Sequence, residues 1–112
     1  MPYTINGTPQ NFAGPSLMGG TTFVPLANVA DAIGGMVEWD NLTKVASVEL
    51  GDKKARIQAD STTAEINGNT TELQDAPYID SGTLWVPVRF FEQVLGCKLS
   101  VAGDNVTLDR QF

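Results

Sequence analysis

The side chains in this 112-residue chain with ordinary reactive chemistry are thirteen carboxylates and one thiol, and no histidine accompanies them. That absence removes histidine general-base catalysis, serine and cysteine triads, and every histidine-ligated metal site. Glu38, Asp40 and Glu49 fall on one predicted hairpin, so two of them could face each other at the roughly 5–9 Å that glycoside hydrolysis requires. The short loops around them leave little room for a cleft, and proximity is common in a small chain with this many acids. Cys97 follows Gly96 with no base to form a thiolate, so it reads as a small structural residue. Acidic turns such as Asp40-Asn41 and Asp104-Asn105 lack the Asp-x-Asp-x-Asp-Gly pattern of a calcium loop and read as turns. The four sequons, at Asn6, Asn41, Asn69 and Asn105, also fall at predicted turns. No catalytic residue, metal or cofactor is expected. Flat aromatic rings stack on sugars, which makes Trp39 with Asp40, and Trp85, candidates for an interaction surface. Trp85 alternates with Leu84 and Val86, and Trp39 with Val37, so the competing reading places both rings at the core or its rim.

The elements that must position these residues are short. Apolar residues make up 42% of the chain, enough for a packed core. Seven Lys and Arg stand against thirteen Asp and Glu, a net charge of −6. Such a surface repels phosphate backbones and disfavours nucleic acid as a partner. No run approaches the roughly 18 apolar residues of a membrane span. Residues 1 to 7 carry neither basic nor apolar character, so they do not read as a secretory signal. The chain reads either as cytosolic or as a mature segment of a longer exported protein.

The strongest internal signal is a two-fold repeat. Ile5-Asn6-Gly7 recurs as Ile66-Asn67-Gly68 at an offset of 61. Gly20-Thr21-Thr22-Phe23-Val24-Pro25-Leu26 recurs as Gly82-Thr83-Leu84-Trp85-Val86-Pro87-Val88 at an offset of 62. Ala32-Ile33-Gly34 recurs as Val94-Leu95-Gly96 at the same offset. The halves run from 1 to 50 and from 60 to 112, joined by a linking strand within 51–59, and together they read as one domain. In each half, an Asn-Gly pair predicts a tight hairpin. A short loop and a brief strand follow, at 22–24 and 84–86. A helix of about ten residues is then expected to begin at Pro25 and at Pro87, where a missing N–H is no loss. Leu26, Val29, Ala30 and Ile33 mark its apolar face at i, i+3, i+4 and i+7, and Val88, Phe91 and Leu95 mark the second. Gly34 and Gly96 stop the helices. A second hairpin closes each half, 36–39 with 45–50 and 98–101 with 106–108. The expected class is α+β: two pseudo-repeats of antiparallel hairpins, each with one short helix, in one domain.

The order Asn-Gly hairpin, Gly20 to Leu26, apolar helix, then Ile33-Gly34-Gly35-Met36-Val37-Glu38-Trp39-Asp40 resembles the copper amine oxidase N-terminal-like domain, also called the stalk domain, of exported proteins of Gram-positive bacteria. The resemblance runs from Ile5 to Leu108, and residues 24–40 are its most specific part. The second copy departs from it, with Val101-Ala102 where the first has Trp39-Asp40. Arg after Val-Pro-Leu is frequent in the family, and Arg89 fits this where Ala27 does not, so Arg89 joins Trp39, Asp40 and Trp85 as a candidate surface residue. In the oxidases, histidines of a separate catalytic domain hold the copper. The resemblance therefore implies an accessory, non-catalytic module in an extracellular or cell-wall setting. The expected function is a binding or spacer module whose partner is wall polymer or another protein or domain. The alternative is a structural subunit that self-associates through sheet edges or by exchange of the strand at residues 1–5.

Overall fold

The computed structural model describes residues 3–110. The first hairpin pairs β1 (Tyr3–Ile5) with β2 (Thr8–Gln10) across Asn6 and Gly7. Both turn residues have positive φ, 51° and 79°, the conformation a two-residue type I′ turn demands. The equivalent hairpin in the second half joins β8 (Thr63–Ile66) and β9 (Asn69–Glu72) across Asn67 and Gly68, at 48° and 86°. The Asn67 side chain also accepts the Lys54 N–H at 2.9 Å, which ties this turn to the neighbouring strand.

Four further strands form a central sheet: β3 (Ser16–Met18), β4 (Thr21–Pro25), β10 (Tyr78–Asp80) and β11 (Thr83–Pro87), in the order β10-β11-β4-β3. Neither β3 nor β10 is predicted from sequence, because three residues are too few to show alternation. Their tight turns, Gly19-Gly20 and Ser81-Gly82, are the local signal. At the middle of this sheet Val24 stands opposite Val86, Phe23 opposite Pro87 and Pro25 opposite Trp85. These pairs exchange under the 62-residue offset of the repeat, so a local two-fold axis passes between Val24 and Val86. Both valines are fully buried.

Helix α1 (Leu26–Ala32) leaves this sheet at Pro25, and α2 (Arg89–Gln93) leaves it one residue after Pro87. The C-terminus of α1 is a Schellman motif. Gly34 N–H donates to the Asp31 carbonyl at 3.1 Å and Gly35 N–H to the Ala30 carbonyl at 2.7 Å, with Gly34 at φ +86°. Leu26, Val29, Ala30 and Ile33 are all buried, so the apolar stripe seen in the sequence is the packed face. In α2, adjacent Phe90 and Phe91 are both buried, edge to face at 5.3 Å. Burying a ring of this size contributes about 1.5–3 kcal/mol, which holds a helix too short to persist alone.

The outer sheets draw on both halves. One has the order β12-β13-β1-β2, with β12 (Lys98–Ala102) and β13 (Asn105–Asp109) as a hairpin and β13 parallel to β1. The other has the order β5-β6-β7-β8-β9, with β5 (Met36–Asp40), β6 (Val45–Leu50) and β7 (Lys53–Gln58). The N-terminal hairpin thus pairs with the C-terminal one, while β7 stands between β6 and β8. The difference follows from connectivity. The chain must travel from β6 to β8 and does so as a strand, whereas no chain need pass between β13 and β1. Buried residues of all three sheets and both helices join in one cluster.

The expected α+β class is corrected by this arrangement. Strand makes up 53% of the structure and helix 11%, so the protein is mostly β. The expected ten-residue helices have seven and five residues. Pro25 and Pro87, expected at the first helical positions, instead end β4 and β11 in register with the neighbouring strand. Pairing across the two-fold axis claims these residues before the helix begins, and Gly34 and Gly96 stop it soon after.

Candidate functional site

Aromatic, amide, hydroxyl and ammonium side chains meet in a crevice of about 360 Å³. Its walls are α1, β5 and its following turn, and the β10–β11 hairpin of the other half. Val37 and Trp39 project from β5, Leu26, Ala27 and Asn28 from the start of α1, and Ile79, Thr83 and Leu84 from the hairpin. Asn41 and Lys44, both exposed, line it from the turn, and the fully buried Ala46 lies behind it. Trp39 is 41% exposed and Ile79 43%.

The turn carrying Asn41 and Lys44 is held from several directions. The Asp40 carboxylate accepts the Leu42 N–H at 2.9 Å and the Thr43 N–H at 3.3 Å. The Lys44 N–H donates to the Asp40 carbonyl at 2.8 Å, and the Gln58 side chain donates to the Thr43 carbonyl at 3.0 Å. The N–H groups of Leu42 and then Thr43 hold the Asp40 carboxyl below its ordinary range, because they bond its charged form. Lys44 donates to Asn41 Oδ1 at 3.0 Å, and the amide nitrogen of Asn41 makes no hydrogen bond among the described residues.

The residues singled out in the sequence do not form one surface. Trp39 lines the crevice, while the adjacent Asp40 serves the turn. Trp85 alternates with Leu84 on β11, so Leu84 enters the crevice and Trp85 lies on the opposite face. There its ring stacks parallel to Tyr78 with centroids 6.3 Å apart. It also abuts Gly14: a Cβ at that glycine would come within 2.7 Å of both the indole and the Tyr3 hydroxyl. Arg89 pairs with Glu92 at 3.0 Å on the exposed side of α2. Glu38 and Glu49 lie on the solvent face of the five-stranded sheet beside Lys54 and Arg56. Cys97 is buried, and desolvation pushes its thiol up despite the opposing fields of Arg110 and Lys53.

Sequence reasoning missed Asn28, Asn41, Lys44, Ile79 and Leu84 as neighbours of Trp39. The only local signal was an amide at position 28, which with Asp31 is one of the two polar residues of α1.

The repeat places a second set of residues at equivalent positions. Leu17 corresponds to Ile79 and Val101 to Trp39, and both are exposed. The turn between β12 and β13 has two residues where that between β5 and β6 has four, so it offers no counterparts of both Asn41 and Lys44.

The family model for the copper amine oxidase N-terminal domain matches residues 4–109. The chain belongs to that family. Over 88 residues it is also 30% identical to a protein of Brevibacillus choshinensis named protease inhibitor. That match covers 79% of this chain and 27% of the other, so the chain spans about a quarter of the length of this relative. The chain has no histidine, and among the described residues no group of three His, Cys, Asp or Glu is placed to hold a metal. No helix among the described residues is long and apolar enough to cross a membrane.

Proposed function

We propose that this domain is a non-catalytic binding module of an exported or cell-surface protein, and that the crevice beside Trp39 is its binding site. The observation that carries the reading is the part-exposed indole beside apolar side chains, with one side-chain amide on a braced turn (Asn41) and a second on α1 (Asn28). Membership of a family named for the N-terminal domain of an oxidase supports an accessory role. The relative named protease inhibitor supports a protein as one class of partner; wall polymer is the other. Two assays test the reading: co-sedimentation with insoluble bacterial wall, and titration of a serine protease with excess domain. Retention or inhibition that is lost in Trp39→Ala, with an unchanged melting temperature, is the expected result. A chain that neither sediments nor inhibits leaves only a spacer.

A second reading is self-association through strand edges. Three open sheets leave β2, β12, β3, β10, β5 and β9 at their ends, and such edges accept neighbouring strands. Residues 1 and 2 of the exchange segment considered in the sequence lie outside the described residues. Light scattering that shows a strict monomer at millimolar concentration would remove this reading.

A further inference from the structure

We propose that the Trp39 crevice takes a neutral glycan bearing acetamido groups. The inference rests on the binding reading above and names its ligand class.

Charge is the first argument. The protein as a whole carries −6, yet among the described residues Lys44 is the only charged one lining the crevice, and it is engaged by Asn41 at 3.0 Å. An anionic polymer is opposed by the net charge of the protein as a whole, and a cationic one meets Lys44 and finds no carboxylate among the lining residues. The matching occupant is uncharged.

The chemistry of the lining is the second argument. The Trp39 indole offers a flat apolar face with an N–H at its edge, as ring-stacking ligands require. Asn28, the amide nitrogen of Asn41 and the Thr83 hydroxyl make no side-chain hydrogen bond among the described residues, so each can be satisfied by a ligand. Val37 and Leu84, both half-buried, line the crevice with these polar groups and supply a surface for a methyl. An acetamido group is an amide joined to a methyl, and a pyranose presents an apolar face to an indole. The volume of about 360 Å³ lies at the lower end of the ~300–1,000 Å³ typical of small-ligand sites, which suits one or two sugar rings.

The repeat supplies an internal control. The equivalent of Trp39 is Val101, on a hairpin with a two-residue turn, and the offset takes Asn28 to Phe90 and Asn41 to Gly103, so the equivalent positions offer no indole and no amide pair.

The test is an NMR titration of the ¹⁵N-labelled chain with tetra-N-acetylchitotetraose, with cellotetraose as the hydroxyl-only counterpart, and with a neutral end-blocked tetrapeptide. The two indole N–H signals are assigned from Trp39→Phe. With the acetylated sugar, the Trp39 indole and the side-chain amides of Asn28 and Asn41 are expected to shift saturably, while the Trp85 indole stays in place. Cellotetraose should bind at least about tenfold more weakly, Trp39→Ala should lose the response, Asn41→Ala should weaken it about fivefold, and Val101→Ala should leave it unchanged. Equal response to both sugars overturns the acetamido assignment. No sugar response, together with Trp39-dependent binding of the peptide or of wall, overturns the glycan and keeps the binding module. No response to any probe, with no retention on wall, overturns both.

Discussion

Replacing Gly14 with alanine separates a packing role for Trp85 from a ligand-stacking one. Gly14 has φ +84°, and an added Cβ would lie 2.7 Å from Trp85 Cζ3 and 2.7 Å from the Tyr3 hydroxyl. Tyr3 is fully buried and donates to the Ala13 carbonyl at 2.8 Å, so it has little freedom to withdraw. Trp85 is backed by Tyr78 at 6.3 Å. Two costs add. The left-handed backbone costs an L-residue about 1–2 kcal/mol, and overpacking costs about 1–3 kcal/mol more. Gly7 provides the control: its φ is +79°, and nothing lies within 4 Å of the place its Cβ would take. Gly7→Ala therefore bears only the backbone cost. For a chain of this size each kcal/mol moves Tm by about 4 °C. Gly14→Ala is expected to melt about 4–12 °C below Gly7→Ala in scans followed by near-ultraviolet circular dichroism. Two variants melting within about 2 °C of each other would refute the claim that Trp85 is clamped between Gly14 and Tyr78.

Burial disfavours the Tyr3 phenolate, so the folded chain keeps this proton above the ordinary value of 10.0 at which the unfolded chain releases it. Its contribution is intact below that pH and lost as pH rises beyond it; urea melts from pH 8 to 11 should show a steeper decline for wild type than for Tyr3→Phe, and parallel declines would count against the assignment. Tyr3→Phe should also cost about 0.5–1.5 kcal/mol at neutral pH through the lost bond to Ala13. Val24→Ala and Val86→Ala, at the two-fold axis, should each cost about 1.5–3 kcal/mol. As cross-strand partners they should couple by more than about 0.5 kcal/mol in a double-mutant cycle, and strict additivity would show that they do not meet. Cys97 should react with iodoacetamide at least about a hundredfold faster in denaturant than in the native state, as its burial requires; comparable rates would contradict it.

Several elements were legible because their signals are local. Asn6-Gly7 and Asn67-Gly68 dictate their turns wherever they stand, and the pattern in 36–39 and 45–50 marks a hairpin, which the structure extends by one pair to Asp40 and Val45. The helices were overestimated because apolar periodicity alone does not reveal that Pro25 and Pro87 are claimed by strand pairing. The crevice was illegible for a different reason: Trp39 and Asn41 come from one half, and Ile79 and Leu84 from the other, some forty residues away in the sequence. Trp39 and Trp85 look alike in sequence, each alternating with an apolar neighbour, yet only Trp39 stands at the mouth of a crevice.

The sequence by itself determined the absence of histidine chemistry, the net negative charge, the internal repeat with its Asn-Gly turns, and the likeness to the copper amine oxidase N-terminal domain family. These follow from residue types and near-neighbour spacing, which no folding can alter. The tertiary structure alone decided that the halves interlock, with the N-terminal hairpin paired to the C-terminal one around the Val24–Val86 axis. It also decided which tryptophan faces solvent. Both outcomes depend on which strand lies next to which, and that is settled by burying one shared core rather than by any local preference.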